Sequence, residues 1–113
     1  MPLTREQIES TKNAKIIKVE AFGGECCLRL MTVGDRDSYE VLLIENGGQV
    51  IPDFRSELVA RTLCDEEGEL LYPGKEGVEA LRKLPADEIH RLWMAAMKHN
   101  AMTEEEIRNL AGE

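Results

Sequence analysis

Apolar positions change their pattern along the chain, from short β-prone runs near the start to helical spacing further on. Two β-prone runs, at residues 16–20 and 26–30, flank Phe22-Gly23-Gly24. The paired glycines supply the positive φ angles that a tight hairpin turn requires. The pattern therefore predicts a β-hairpin in this part of the chain.

From Asp35 onward the apolar spacing becomes helical. Tyr39, Leu42 and Leu43 recur at that spacing, and acidic residues occupy the first turn, where the helix dipole favours them. An Asn-Gly-Gly sequence at 46–48 accepts the left-handed conformation that ends a helix. We expect a helix from Asp35 to this sequence, followed by a connector over residues 50–53.

A second hairpin is predicted further along. Residues 58–64 and 70–72 flank an acidic segment that contains a glycine, at 65–69. The first arm has two interpretations, because Leu58, Thr62 and Leu63 fit a helical stripe almost as well as a strand. Valine and threonine in this arm favour the strand.

The sequence predicts further helices at the start of the chain and from Lys75 onward. Capping boxes at 4–7 and 103–106 predict a first helix over 5–13 and a short last one. Between them we expect a helix from Lys75 to Lys83 and a longer one from Pro85 to about Asn100. The longer helix places five residues on one apolar face, namely Ile89, Leu92, Trp93, Ala96 and Met97.

These elements predict an α+β fold, with a small antiparallel β-hairpin sheet, helices and a C-terminal helical segment. A chain of 113 residues has room for one domain. We therefore expect a single domain over 1–113, with a hairpin–helix–hairpin core at about 14–72 and a helical part at about 75–111.

The net charge and the hydropathy of the chain restrict the kinds of partner that it is expected to bind. The net charge of −8 would repel phosphate backbones, so nucleic acid is not an expected partner. No apolar run approaches the roughly 20 residues that span a bilayer, and the first residues lack the pattern of a signal peptide. The sequence therefore predicts a cytoplasmic protein that does not contact membranes.

The candidate chemical groups do not combine into a site. Cys26, Cys27 and Cys64 are odd in number and favour free thiols, and neighbours on a strand point to opposite faces. His90 and His99 fall on opposite sides of their helix, where we expect solvated surface positions. The sequence predicts no catalytic residue, no metal site and no cofactor, and hence no enzyme.

The helix at 85–100 carries the candidate partner-binding residues, which are Trp93, Met94, Met97 and Met102. Trp93 and Met97 are most simply core residues. Met94 falls on the polar side of the helix, with Met102 close behind, and exposed methionine suits adaptable binding to helical partners. A scattered surface apolar residue is an equally valid interpretation of Met94.

A resemblance to a known family rests on three stretches, at residues 28–40, 60–72 and 75–100, which together resemble phage tail assembly chaperones of the siphophage type. Residues 28–40 resemble that family's passage from an Arg-containing strand into an acid, Arg, Asp and aromatic series. Residues 60–72 resemble its second hairpin, with an Asp-Glu-x-Gly turn and the aromatic Tyr72. Residues 75–100 are similar to its helical end, which finishes near Asn100. At 20–24 the chain departs from the expected Pro-Glu-Trp-Gly-like turn, with Phe22 in place of the tryptophan.

The resemblance implies a mixed α/β fold and a function in the cytoplasm of an infected or lysogenic bacterium. Such a chaperone keeps the tape measure protein soluble and helps tail tube proteins polymerise around it. Our hypothesis for the mechanism is that the apolar and methionine-bearing C-terminal helices contact amphipathic helices of the tape measure protein. A small acidic regulatory or toxin-neutralising interaction module is the alternative, and self-association into a homo-oligomer stays open.

Overall fold

The computed structural model describes residues 1–11, 15–47 and 51–101. It contains a three-stranded antiparallel sheet of order β1-β2-β3. The strands are β1 (Ile17–Ala21), β2 (Gly24–Leu28) and β3 (Leu63–Cys64). Five helices complete the described part of the chain, which are α1 (Arg5–Glu9), α2 (Val33–Glu45), α3 (Phe54–Ala60), α4 (Gly74–Leu81) and α5 (Ala86–His99). The predicted α+β class is confirmed.

The predicted first hairpin is confirmed. Strand β1 pairs with β2 from Ile17 opposite Leu28 to Ala21 opposite Gly24. The positive φ angles fall on Phe22 and Gly23, at 55° and 77°, as a primed two-residue turn requires, and not on the two predicted glycines, because Gly24 already belongs to β2. The amide of Phe22 donates to the Glu88 carboxylate at the start of α5, so the turn is tied to that helix.

Local capping explains where the first two helices begin. Helix α1 has the predicted capping box, with both reciprocal hydrogen bonds between Thr4 and Gln7, but it ends at Glu9. Helix α2 begins two residues before the predicted Asp35, because the Thr32 side chain accepts the Asp35 amide. It ends at Asn46, and Gly47 takes a φ of 59° as predicted, whereas Gly48 lies outside the described residues.

The strand predicted for the first arm of the second hairpin is wrong over most of its length. Residues 58–60 belong to α3, and β3 has only two residues. Buried Thr62 stabilises the helical end, since its hydroxyl donates to the carbonyl of Leu58 at 3.0 Å. The turn is confirmed, because the Asp65 carboxylate accepts the amides of Glu67 and Glu69.

The sheet, α2, α3, α4 and α5 enclose one hydrophobic cluster. Helix α5 packs against α3 and β1, and α3 also packs against α4. Leu28, Leu58 and Leu92 are completely buried in this cluster. The predicted α4 and α5 are observed within two residues of their expected bounds. The last predicted helix, at 103–106, falls outside the described residues.

Candidate protein interaction surface

Helix α5 divides the predicted partner-binding residues between core and solvent. Met97 is buried in the core, so it offers almost no surface to a partner. Trp93 is half-buried, and its ring packs edge-on against Phe54 with centroids 5.4 Å apart. Met94 is 57% exposed. Met102 lies outside the described residues.

The outer face of α5 is mostly polar. Its exposed positions recur at helical spacing and comprise Asp87, Arg91, Met94 and Lys98. Met94 is the single large apolar residue among these four. The structure therefore brings together no cluster of Trp93, Met94 and Met97 at the surface.

Helix α2 presents a larger apolar face to solvent, which we call the α2 outer face. Val33, Val41 and Ile44 are 79%, 48% and 55% exposed. At 100° per residue they fall within about 80° of the helix circumference. Tyr39 and Leu43 are buried on the opposite side, where they join the core.

Acidic residues accompany the α2 outer face. Asp37 lies between Val33 and Val41 on the same side of the helix, and Glu45 follows Ile44. Neither carboxylate forms an ion pair with another described residue. The face therefore combines exposed apolar residues with two carboxylates that have no cationic partner within the described ranges.

The sequence carries a signal for the α2 outer face that the apolar spacing alone did not reveal. Residues 41–44 are four successive large apolar residues in a helix. Four successive positions span about 300°, so they cannot all point into one core. Because Leu43 is buried and Leu42 is half-buried, Val41 and Ile44 remain outside.

The cysteines are free and largely enclosed. Cys27 and Cys64 are buried opposite each other in the β2–β3 pairing, and Cys26 is half-buried on the other face of β2. Burial raises the pKa of the Cys64 thiol to about 11, with the neighbouring Cys27 adding to the effect. Burial likewise raises the pKa of Cys26. A nucleophilic cysteine needs the opposite shift.

The two histidines are half-buried and hydrogen-bonded, which differs from the solvated positions expected. The Arg55 side chain donates to His90 Nδ1 at 3.0 Å, and His99 Nε2 lies 2.7 Å from the Lys15 carbonyl oxygen. Over residues 1–11, 15–47 and 51–101, no three His, Cys, Asp or Glu side chains are arranged to hold a metal ion.

Comparison with protein family models, with curated proteins and with solved structures finds no match to this chain. Among the described helices, none has the length and apolar character needed to cross a bilayer.

Proposed function

We propose that this chain is a non-enzymatic phage or prophage tail assembly chaperone of the bacterial cytoplasm. It binds amphipathic helices of the tape measure protein and so assists assembly of the tail tube around them. The observation that carries the proposal is the α2 outer face, where Val33, Val41 and Ile44 are exposed together. An exposed group of large apolar side chains is a feature of binding surfaces.

The shape of this face suits a helical partner. Val33 and Ile44 are separated by eleven residues, which is about 16 Å along a helix. Apolar residues spaced over three turns match the recurring anchors of a helix that binds through one face. A partner helix of comparable length therefore covers the whole stripe.

The negative charge of the α2 outer face favours a partner helix with basic residues beside its apolar anchors. Asp37 and Glu45 pair with no cation in the part of the chain that the structure describes, and the whole chain has a net charge of −8. Lysine or arginine beside the apolar anchors of the partner would complement these carboxylates. The same charge discourages association between two copies of this chain.

Calorimetric titration of the full chain with helical segments of the tape measure protein from the same phage or prophage tests the proposal. We expect binding, and we expect Ile44→Ser to weaken it about four- to fifteenfold, because full burial of an isoleucine side chain contributes about 1.5–3 kcal/mol and Ile44 is 55% exposed before binding. Ile8→Ser is the matched control, since Ile8 on α1 has the same 55% exposure as Ile44. Met94→Ser measures the contribution of the α5 outer face.

Three results would contradict the proposal. One is absence of binding at low salt by every tape measure segment. Another is equal weakening by Ile8→Ser and Ile44→Ser. The third is a stable homo-oligomer that Ile44→Ser converts to monomers, because the α2 outer face would then be a contact between copies of this chain.

A further inference from the structure

Arg55 is held in a fixed position by three ring side chains. Its Nε donates to His90 Nδ1 at 3.0 Å. Its guanidinium carbon lies 4.5 Å from the centre of the Phe54 ring and 5.3 Å from that of Trp93. Stacking and a hydrogen bond together restrict a side chain that is otherwise among the most mobile.

Among the arginines that the structure describes, Arg55 alone has no carboxylate partner in the described ranges. Each other arginine in the described part of the chain forms an ion pair with a carboxylate, and these six are Arg5, Arg29, Arg36, Arg61, Arg82 and Arg91. Arg55 forms none there, although acidic residues outnumber basic ones in the chain by 22 to 14. An ordered guanidinium that pairs with no described carboxylate is a candidate anion-binding group.

This guanidinium lines a cleft of about 670 Å³ between α3, α4 and α5. Apolar side chains form much of its wall, and they are Phe54, Leu81, Leu84 and Ile89. The charged groups besides Arg55 are Asp53, Arg82 and Asp87. Asp53 is neutralised by Arg82 at 3.0 Å, and Asp87 accepts the Glu88 amide at 2.9 Å.

We infer that the cleft binds a carboxylate carried on an apolar group. In this proposal the terminal nitrogens of Arg55, which form no ion pair with a described residue, donate to the ligand carboxylate, and the apolar wall receives the rest of the molecule. His90 acts through Arg55 as a positioning residue. A phosphate dianion fits less well, because Asp53 and Asp87 line the same cleft.

This inference is independent of the α2 outer face, because no residue of α2 lines the cleft. Small carboxylates can bind there whether or not the chain binds a tape measure helix. Failure of one proposal therefore leaves the other intact.

Trp93 provides a direct readout, since it is the only tryptophan and its ring lies 5.3 Å from that of His90. The full chain is titrated with phenylacetate, with the uncharged phenylacetamide and with inorganic phosphate, while tryptophan fluorescence is recorded. We expect a saturable change with phenylacetate, and much weaker responses to the other two compounds.

Arg55→Gln should weaken phenylacetate binding about tenfold or more, because a hydrogen-bonded charge pair is lost. Arg91→Gln is the matched control. It also removes one positive charge, but Arg91 lies on α5 outside the cleft, so phenylacetate binding should be unchanged. Arg55→Lys keeps the positive charge but removes the paired N–H donors of the guanidinium, and it should weaken phenylacetate binding several-fold. This variant tests the inference even if Arg55→Gln does not fold.

The inference is overturned if phenylacetate gives no saturable change, or if phenylacetamide binds equally well. It is also overturned if phosphate binds more tightly than phenylacetate, or if binding survives in both Arg55 variants. Circular dichroism of each variant verifies that the fold is retained where binding is lost.

Discussion

Arg29, at the end of β2, connects three separate parts of the chain. One terminal nitrogen donates to the Gly68 carbonyl oxygen at 2.8 Å, and the other pairs with Asp35 at 2.7 Å. The Arg29 and Asp35 side chains are only 18% and 25% exposed. The sheet, the turn at 65–69 and the start of α2 are thereby held together by one partly buried charge pair.

We expect Arg29→Gln to lower the free energy of unfolding by about 1.5–3 kcal/mol, because hydrogen bonds to charged groups are lost in a partly buried place. Urea unfolding measures this. Arg5→Gln is the control, since Arg5 is 90% exposed in its pair with Glu9, and such surface pairs contribute about 0–1 kcal/mol. Similar losses in the two variants would show that the Arg29 bridge is no stronger than a surface pair.

The buried side chains of Tyr39 and Cys64 are weak acids, and their ionisation makes the free energy of unfolding depend on pH in the alkaline range. Burial raises the pKa of Tyr39 from 10.0 to about 12, against a smaller opposite effect of Arg61, and raises that of Cys64 from 9.0 to about 11. Because both pKa values are higher in the folded state than in the unfolded state, the protonated forms of the two groups stabilise the fold. This contribution is fully present below about pH 9 and is lost as the pH rises towards 12.

Unfolding midpoints in urea between pH 8 and pH 12 should therefore fall with pH, at roughly the slope given by the linkage relation. Tyr39→Phe should remove the part of the decline that begins near pH 10, where the unfolded-state tyrosine ionises. A midpoint that stays constant over this range would contradict the assigned burial effects.

At the scale of elements, α4 lies directly against the backbone of Tyr72. A Cβ atom added at Gly77 would come within 1.9 Å of the Tyr72 carbonyl oxygen and 2.2 Å of its carbon. Backbone atoms cannot move aside as a side-chain end can. Gly77 is therefore required for the close approach of α4 to the segment before it.

We expect Gly77→Ala to destabilise the protein by about 1–3 kcal/mol, as over-packing does in cores. Gly34→Ala offers the matched control, because the nearest atom to its added Cβ is 3.9 Å away and its backbone is helical. That substitution should stabilise by about 0.4–1 kcal/mol through the unfolded state. Thermal unfolding of the two variants should shift in opposite directions, and a shared direction would refute this packing.

Elements with strong local signals were predictable from the sequence. The Gly-containing turn identifies the first hairpin, and the spacing around Tyr39 identifies α2. The structure of residues 58–62 was not predictable in this way. β-Branched Val59 and Thr62 favour a strand, whereas the packing of buried Leu58 and Val59 against the core favours a helix. Tertiary packing decided between two patterns of nearly equal strength.

The candidate surface was predictable only in part. The exposure of Met94 follows from its place on the helical wheel and is confirmed. The α2 outer face requires knowing which of four successive apolar residues the core accepts, and that depends on contacts distant in sequence. Arg55 gave no sequence signal, since its rings come from α3 and from α5.

Over the described part of the molecule, the exposed apolar residues of α2 are separate from the thiol groups. The thiols lie in or beside the sheet with raised pKa values at Cys26 and Cys64, whereas the exposed apolar residues of α2 face solvent. A net charge of −8 adds a long-range attraction for basic segments. A partner that combines apolar anchors with basic flanks satisfies both features.

Nuclear magnetic resonance mapping of the labelled full chain, titrated with a tape measure helix, locates the surface that binds the helix. We expect the backbone signals of Val33, Val41 and Ile44 to shift most, and we expect binding to weaken as salt screens Asp37 and Glu45. Shifts that leave α2 unchanged, or no shifts with any tape measure helix at low salt, would contradict this expectation.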